Sequence, residues 1–526
     1  MATNAVPHGD SQGTILGHPK GLFVLFFAEM WERFSYYGMR ALLIFYLTKH
    51  WLFSDSDAGI IYGAYTALVY ITPVVGGYLA DRYLGQRKAV LFGAVLLTLG
   101  HFFMAFEGSP AAGNTGNPVI YVFWLALALI IVGSGFLKAN ISVIVGQLYP
   151  RTDTRRDAAY TIFYMGINLG AAIGSLLCGY IGETYGWAYG FGLAGFGMLL
   201  GLVVFMWGRP LLLGRGEPPK PLAKSKEFSM YGAGLVMVGI CWLAIQFQDM
   251  VGFVLMFFGG ALVLYVLFTA VVKLPAEERD RIFAAMFLIL TSIVFWALFE
   301  QAGSSLNLFT DRHVDRGGVP ASTFQSINAI YIILLAPLFA IAWQFLGRKG
   351  LEPSAPFKFG LGVVQVGLGF LVLVWGANSV GMDAAVPVIF IFLIYLLHTT
   401  GELCLSPVGL SAMNRLAPAH MASLIMGTWF FASATGNFAA GLIASATGAE
   451  GVGEEAGRQV VLDVYSTVGW YAVGIGLAVL VISPLIKKLM HLDTLRDDNV
   501  GDDLLGQGEG PGEPQAAGIH PETRPN

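Results

Sequence analysis

The stretch Glu29-Met30-Trp31-Glu32-Arg33-Phe34-Ser35-Tyr36-Tyr37-Gly38 places three charges inside an apolar run that extends from Leu22 to Tyr46. In a helix, residues separated by three or four positions share one face, and that face here carries Glu29, Glu32, Arg33, Tyr36 and Tyr37. A charge near the centre of a bilayer costs roughly 2.5 to above 10 kcal/mol, so such residues normally face a bundle interior or an aqueous cavity. The pattern therefore predicts an ionisable site for a solute or a proton. The alternative is a cluster at a helix end whose side chains extend to the membrane interface.

The composition predicts an all-α polytopic membrane protein. Of the 526 residues, 56% are hydrophobic and only 12% are charged, whereas soluble domains carry about 25% charged residues. The first twenty residues lack a basic region followed by a cleavage site, so we expect the first helix to act as its own insertion signal. The cysteines lie in or beside apolar spans without metal-ligand spacing, which indicates packing residues and no disulfide framework: Cys178, Cys241 and Cys404.

Fourteen transmembrane helices are predicted from apolar segments of about 20 residues or more, near 20–48, 57–80, 88–107, 118–148, 157–182, 187–208, 228–248, 252–273, 282–309, 322–347, 358–377, 385–416, 419–446 and 462–491. Loop charge tests this count, because cytoplasmic loops are enriched in Lys and Arg. With the amino terminus inside, the predicted outer loops around 108–117, 183–186, 249–251 and 378–384 contain neither residue type. Four basic residues in other outer loops break the pattern: Lys49, Arg312, Arg316 and Arg458. The bias predicts that both termini are cytoplasmic.

Two turns predict an internal duplication. The segments Gly76–Lys88 and Phe345–Gly350 both place Leu-Gly and then basic residues on the cytoplasmic side. Duplicated bundles with a cavity between them are a transporter architecture. The predicted organisation is a cytoplasmic segment 1–19, an N-terminal six-helix bundle 20–215, a linker with an inserted hairpin 216–275, a C-terminal six-helix bundle 276–491 and a disordered cytoplasmic tail 492–526.

Isolated charges stand in three further apolar segments. Lys138 needs an acidic partner or an anionic ligand, and the glutamates of the first helix are the obvious partners. Glu300 and Glu402 in the second half have no Lys or Arg within one helical turn. If these two acids face Arg33 and Lys138 across a cavity, its walls suit a zwitterionic solute. The alternative for each group is an ion pair or a helix partner without a ligand role.

Uncharged polar and aromatic residues complete the candidate site. Asn168 and Asn328 suit a peptide amide, although buried Asn also joins helix to helix. We interpret His101 and His398 as structural, with His398 hydrogen bonding Glu402 four residues later. The amphipathic aromatic residues suit side-chain pockets or packing: Tyr36, Tyr37, Tyr70 and Trp429.

These residues resemble a known family. Glu29–Gly38 fits the E-x-x-E-R-F-x-Y-Y-G pattern of the proton-dependent oligopeptide transporters, a branch of the major facilitator superfamily. Phe163–Gly170 fits the F-Y-x-x-I-N-x-G signature of that family, and Asp81–Lys88 resembles the loop motif of the superfamily. The segments 295–301 and 401–407 are similar to the family's seventh and tenth core helices.

The resemblance implies a fold and an activity. The fold would be the major facilitator fold, with two six-helix bundles and a hairpin near 228–273 like the inserted helices of bacterial members. The activity would be proton-coupled import of di- and tripeptides by alternating access, driven by the proton gradient without a cofactor. We accordingly expect a monomer in the bacterial inner membrane, with peptides, protons and lipid as partners and no nucleic acid.

The resemblance also implies residue roles. Glu29, Glu32 and Arg33 would form the proton-coupling set with Lys138, and Glu300 would take part in coupling or gating. Arg33 and Lys138 would also receive the peptide carboxylate. The remaining contacts with the peptide would come from Tyr36, Tyr37, Tyr70, Asn168, Glu300, Asn328, Glu402 and Trp429, with Glu402 at the amino terminus and the Asn residues at the backbone.

Two positions depart from the family. Ala139 follows Lys138 where the family often has Pro, which changes local helix geometry. The second helix lacks the His of animal members, so Tyr70 does not copy that proton role.

Other function classes remain open. The first rival is a related symporter for a non-peptide solute such as nitrate or another small organic molecule, which would have less use for Glu402. The second is a membrane receptor that binds a solute without accumulating it. The sequence has no nucleotide-binding loop, no metal-spaced His/Cys cluster and no nucleophile–base constellation, so we predict no enzyme.

Overall fold

A computed structural model of the chain describes residues 13–106, 117–149, 153, 155–218, 220–449 and 453–492. The predictions for residues 1–12, for the loop 107–116 and for the tail beyond 492 lie outside these residues. In the described part the structure consists of long helices joined by short turns.

The first half contains the helices α1 Lys20–Phe45, α2 Asp55–Leu79, α3 Gln86–Met104, α4 Val119–Gln147, α5 Arg156–Tyr185 and α6 Trp187–Gly208. The π-helical turns Tyr46–His50 and Ala80–Leu84 extend α1 and α2, and the 3-10 turn Arg209–Leu212 follows α6. Before α1, the strands β1 Thr14–Ile15 and β2 His18–Pro19 pair antiparallel. Their tight turn places both Leu16 and Gly17 at positive φ, as primed hairpin turns require.

The inserted hairpin consists of α7 Lys224–Gln246 and α8 Gln248–Lys273. The second half contains α9 Ala276–Phe299, α10 Ser305–His313, α11 Ser326–Arg348, α12 Ala355–Val380, α13 Ile389–Leu416, α14 Ala422–Ala446 and α15 Glu454–Leu489, with 3-10 turns at Glu300–Gly303, Ala321–Gln325 and Ala419–Met421. The short strands β3 Val314–Asp315 and β4 Val386–Pro387 pair in parallel and connect α10 to the start of α13.

Long apolar helices dominate the described residues, and twelve of them are long and apolar enough to cross a membrane by length and composition. Two more long helices fall short of that apolarity for visible reasons. The charges of α1 interrupt its apolar run, and α14 is rich in Gly, Ser and Thr. Together they account for the fourteen predicted helices, and the chain is a multi-pass membrane protein.

Two hydrophobic cores define the bundles. The first core joins α1 to α6, and the second joins α9 to α15. Glycines allow the closest helix contacts, because small residues let membrane helices approach. A side chain at Gly38 would collide with Cys178, and one at Gly174 would collide with the backbone of Phe34, so α1 and α5 pack backbone to backbone. This packing fixes the charged face of α1 toward the centre of the protein.

The predicted single helix 282–309 is interrupted. The chain is α-helical to Phe299, forms the 3-10 turn Glu300–Gly303 and restarts at Ser305. Ser304 has φ −125° and ψ −102°, which is outside the helical region. The break sets the Glu300 carboxylate at the end of α9 and therefore positions a candidate site residue.

Candidate functional site

The charges of α1 form a buried cluster. Glu29, Glu32 and Arg33 are 0% exposed. Arg33 Nε lies 2.6 Å from Glu29 Oε1 and 3.3 Å from Glu32 Oε2. Because an unpaired buried charge is strongly destabilising, the glutamates and the arginine stabilise one another in this position.

Lys138 of α4 completes this cluster. Its Nζ lies 3.9 Å from Glu32 Oε1 and 3.6 Å from the centroid of the Tyr36 ring, and the residue is 1% exposed. Among the described residues, Lys138 Nζ has no hydrogen-bond partner. The structure therefore brings Lys138 to the glutamates of the first helix, with two carboxylates and two cationic side chains in one buried cluster. Tyr36 contacts the ammonium through its ring face rather than through its hydroxyl.

Arg40 is a site residue that the sequence reasoning missed. Its Nη2 donates to Glu300 Oε2, and its Nε donates to the Tyr62 hydroxyl at 2.5 Å. Its guanidinium carbon lies 5.8 Å from the ring centroids of both Tyr37 and Tyr62. Arg40 follows Arg33 by seven residues and so lies on the charged face of α1, which was the available signal. The expectation that Glu300 faces Arg33 and Lys138 is thus corrected, since its ion-pair partner in this structure is Arg40.

The second half contributes Glu402 of α13 and Asn328 of α11. The Asn328 amide donates to Glu402 Oε2 and to Thr399 Oγ1, both at 3.0 Å. Glu402 is 1% exposed. The amide that was expected to hold a peptide backbone therefore orients a carboxylate in this state of the protein.

The two histidines lie in different bundles, His101 on α3 and His398 on α13. His398 Nε2 donates to the Val366 carbonyl at 3.2 Å, and its ring packs near Phe370. We expected His398 to bond Glu402, but in this structure its Nε2 bonds the Val366 carbonyl instead. His101 of α3 is 0% exposed, and neither ring nitrogen has a hydrogen-bond partner among the described residues.

A pocket between the bundles collects these polar groups. It is lined by Tyr37, Arg40, Phe299, Glu300, Ala302, Gln325, Asn328, Tyr395, His398 and Glu402. The pocket thus contains one cation and two carboxylates among aromatic walls. This arrangement can bind a small polar solute that carries both charges.

Six predicted binding residues lie outside this lining: Arg33, Tyr36 and Lys138, which belong to the charged cluster of α1, and Tyr70, Asn168 and Trp429. Tyr70 is buried in the first core, and the Asn168 amide donates to the Tyr164 carbonyl of its own helix at 3.1 Å. Trp429 is 0% exposed and packs against Phe359, with ring centroids 6.5 Å apart. In this state of the protein, Tyr70 and Trp429 are packed in the two cores and Asn168 bonds within its own helix.

Several contacts join the bundles at one end of the molecule, which we term the closed end. Asn307 donates to the Ala41 carbonyl at 3.1 Å, and Ser56 bonds Ser445 at 2.5 Å. Glycines of α2 and α14 approach so closely there that a side chain at Gly63 would collide with α14. The pocket is therefore sealed from the closed end.

The four basic residues that break the loop-charge pattern have specific partners at the closed end. Lys49 lies 2.7 Å from Asp311, which also pairs with Arg316 at 3.0 Å, and Arg312 pairs with Asp55. Arg458 donates to the carbonyls of Ala377, Met382 and Ala384. Three of these basic residues are therefore held by ion pairs, and Arg458 is held by hydrogen bonds to backbone carbonyls.

The terminal strands dock at the opposite end. His18 Nδ1 lies 2.8 Å from the Tyr149 hydroxyl, and Arg155 donates to the Gly17 carbonyl at 2.9 Å. Burial and the positive charge of Arg155 lower the pKa of His18 below its usual value. Hydrogen bonds from Arg155 lower the pKa of the Asp153 carboxyl. The hairpin of β1 and β2 is therefore fixed to the loop between α4 and α5 by groups that respond to pH.

Comparison with known proteins gives consistent matches. The sequence profile of the POT family, PTR2, matches residues 87–456. The uncharacterized transporter YclF of Bacillus subtilis is 36% identical over 499 residues, which cover 91% of this chain and 96% of that protein. The peptide transporter YePEPT of Yersinia enterocolitica is 38% identical over 459 residues, covering 82% of this chain and 88% of that protein.

A solved structure matches in the same way. The crystal structure of a mutant peptide transporter POT in complex with alafosfalin superposes with a TM-score of 0.78 at 37% identity, covering 92% of this chain and 98% of that one. Among the described residues, no group of three or more His, Cys, Asp or Glu is arranged to hold a metal ion.

Proposed function

This chain belongs to the POT family, and we propose that it imports di- and tripeptides together with protons by alternating access. The observation that carries the proposal is the pocket between the bundles, where Arg40 with Glu300 and Asn328 with Glu402 line one space. A peptide is a zwitterion with a cationic amino end and an anionic carboxyl end. A pocket with fixed charges of both signs complements it, while an anion alone would place a further negative charge beside Glu300 and Glu402.

The two ends of the peptide would bind at different walls. The amino terminus pairs with Glu402, whose carboxylate Asn328 orients. The carboxylate pairs with Arg33 and Lys138, which in this state contact the glutamates of α1. The peptide and the glutamates thus compete for the same cations.

Proton coupling follows from this competition. A proton on Glu29 or Glu32 removes one negative charge from the cluster and weakens its hold on Arg33 and Lys138. The cations then bind the peptide carboxylate. A ligand shifts a conformational equilibrium only by its differential affinity for the two states, so proton and peptide act together by replacing ion pairs that differ between them.

The Arg40–Glu300 pair supplies the link to the gate. It connects α1 of the first bundle to the break after α9 of the second, close to the contacts of the closed end. Protonation of Glu300 removes the charge that holds Arg40. Separation of the bundles at this end then becomes less costly, and release of the proton restores the pair.

Tyr37 lines the pocket and suits contact with the peptide side chains. We assign the remaining predicted contacts, from Tyr36, Tyr70, Asn168 and Trp429, to a later step of the cycle in which the helices rearrange.

The loop charges support an orientation with both termini in the cytoplasm of a bacterial cell. In this orientation the closed end faces the outside of the cell. The proposed units are an N-terminal bundle 20–215, a linker and hairpin 216–275 and a C-terminal bundle 276–491. They act as a monomer in the inner membrane.

The test is uptake of labelled dialanine into proteoliposomes, with and without an inward proton gradient. We expect accumulation of dialanine that requires the proton gradient. Unlabelled di- and tripeptides should inhibit this uptake by competition, whereas free alanine should not. Binding without accumulation would indicate a receptor. If a folded preparation shows neither binding nor uptake of dialanine, the result would indicate a non-peptide substrate.

A further inference from the structure

We infer that Tyr62 is a positioning residue that holds Arg40 toward Glu300. Tyr62 lies on α2 and is 2% exposed. Arg40 donates Nε to its hydroxyl at 2.5 Å and Nη2 to the Glu300 carboxylate. Two acceptors on different nitrogens of one planar guanidinium fix both its position and its plane.

The turn after α9 is shaped around this hydroxyl. A Cβ atom at Gly303 would collide with the Tyr62 hydroxyl and would approach Arg40 Nε to 3.3 Å. The helix break that positions Glu300 therefore also leaves space for Tyr62. Because the same short turn carries both Glu300 and Gly303, the tyrosine, the arginine and the glutamate form one unit across the bundles.

The consequence for transport rests on the proposed function. When Glu300 binds a proton, Arg40 loses its anionic partner but keeps the hydroxyl of Tyr62. The guanidinium then stays in position, and the ion pair can form again when the proton leaves. Without the hydroxyl, the pair weakens and the proton competes more easily for Glu300.

The test compares Tyr62→Phe with Tyr65→Phe. Tyr65 lies one turn further along α2, is 0% exposed, and its hydroxyl has no hydrogen-bond partner among the described residues. Loss of one hydrogen bond to a charged group changes the proton equilibrium by about tenfold. We expect Tyr62→Phe to move the midpoint of the pH profile of uptake up by about one pH unit, with an unchanged KM for dialanine at saturating proton concentration.

Tyr65→Phe keeps the parent profile in this account, and identical profiles for the two variants would overturn the inference. If Tyr62→Phe unfolds, Gly303→Ala gives a second test, because it displaces the hydroxyl without removing it and moves the midpoint in the same direction. If the parent shows no proton-driven uptake, the proposed function fails instead.

A separate observation assigns a role to the inserted hairpin. Its first helix, α7, packs along the first bundle. Glu227 lies 2.8 Å from Lys88 near one end, and Trp242 donates to the Tyr121 carbonyl at 3.2 Å near the other. Gly234 between them lies against aromatic rings of α3 and α4, where a side chain would collide.

The second helix, α8, begins against the first core, where Val251 and Leu255 are buried, and continues onto the second bundle. Side chains at Gly252 and Gly259 would collide with the rings of Phe438 and Phe431 of α14. Further along, Val266 and Ala270 of α8 are buried in the second core. The hairpin therefore bridges the bundles: α7 packs along the first, and α8 crosses from the first at the hairpin turn to the second further along.

The connection between α7 and α8 is too short to let the two helices move apart at the turn. Helix α7 ends at Gln246 and α8 begins at Gln248, so Phe247 alone joins them, with φ −120° and ψ 64°. This turn lies at the closed end, because α7 runs from Lys88 at the start of α3 to Tyr121 at the start of α4. The hairpin thus links the bundles tightly at the closed end, whereas the start of α7 and the end of α8 are not joined to each other. The structure assigns it the role of a clasp that opposes opening at the closed end.

This role of the hairpin also rests on the proposed alternating access. It can be tested without a transport assay by measuring distances between spin labels at the closed end. Spin labels at Asp57→Cys of α2 and Ser379→Cys of α12 report the closed end, since both positions are exposed. The native cysteines are buried. A four-residue Gly-Ser insertion after Phe247 is compared with the same insertion after Lys220, in the linker before α7.

We expect the insertion after Phe247 to increase the population with long distances at least threefold, and the linker insertion to leave the distances unchanged. Equal distributions in the two variants would overturn the clasp. If the insertion prevents folding, Gly252→Leu replaces it, with the exposed Val254→Leu as its control. If dialanine and low pH fail to move the distances in the parent, the alternating-access proposal fails rather than the clasp.

Discussion

Replacing Glu300 by Gln tests the gate that the structure defines. The change removes the negative charge beside Arg40 and keeps an oxygen that can accept a hydrogen bond. Both side chains are buried, with Glu300 3% and Arg40 9% exposed, so little solvent screens the pair. Removing one charge of a buried ion pair costs about 3–5 kcal/mol, and the amide oxygen that remains recovers about 1.5–3 kcal/mol as a hydrogen bond from the charged guanidinium.

The difference of about 1–2 kcal/mol corresponds to about a 5- to 30-fold change in an equilibrium. We expect Glu300→Gln to shift the balance between closed and open states at the closed end by this factor. Because an amide releases no proton, the variant also loses the coupling of this gate to pH.

Two assays in proteoliposomes separate these effects. Counterflow exchanges labelled for unlabelled dialanine and needs no net proton movement, so Glu300→Gln retains it. Accumulation driven by a proton gradient requires proton release and falls to background. Glu183→Gln is the matched control, because Glu183 also joins the bundles at the closed end but accepts from the Ser322 backbone N–H at 2.7 Å instead of a guanidinium. Undiminished gradient-driven accumulation by Glu300→Gln would refute this reasoning.

Three further predictions follow from the site and the terminal strands. Lys138→Ala removes the ammonium 3.9 Å from Glu32 and abolishes gradient-driven uptake, and normal concentrative uptake by this variant would contradict the coupling scheme. Glu402→Gln raises the KM for dialanine at least tenfold in uptake assays because the amino terminus loses its anionic partner, whereas unchanged transport would favour an anionic, non-peptide substrate. Burial and Arg155 lower the pKa of His18, so the folded state favours the neutral ring, and docking of β1 and β2 weakens as pH falls below about 6.5. Hydrogen exchange of residues 13–19, corrected for intrinsic rates, measures this loosening, which His18→Phe removes.

The sequence was sufficient for the helices and for the charged cluster of α1. Apolar segments long enough to cross a bilayer predicted the fourteen long helices, because backbone groups in lipid must be satisfied within each segment. Helical periodicity placed Glu29, Glu32 and Arg33 on one face. The cost of a buried lysine then predicted an acidic partner for Lys138, and the structure places Glu32 beside it.

Periodicity gives the face of a residue but not its partner in another helix. Arg40 and Glu300 are 260 positions apart in the chain, and no local pattern relates them. The break at Glu300–Gly303 was also missed, since the apolar run continues to Phe299 and short-range signals do not mark where a 3-10 turn replaces it. The role of Asn328 depends on a carboxylate of another helix in the same way.

The central claim is that peptide and proton move together. The most direct measurement loads proteoliposomes with a pH-sensitive dye, imposes no proton gradient, and adds dialanine outside. Peptide moving down its own gradient then carries protons inward, and we predict acidification of the lumen that Lys138→Ala abolishes. Peptide uptake with no change in luminal pH would contradict symport.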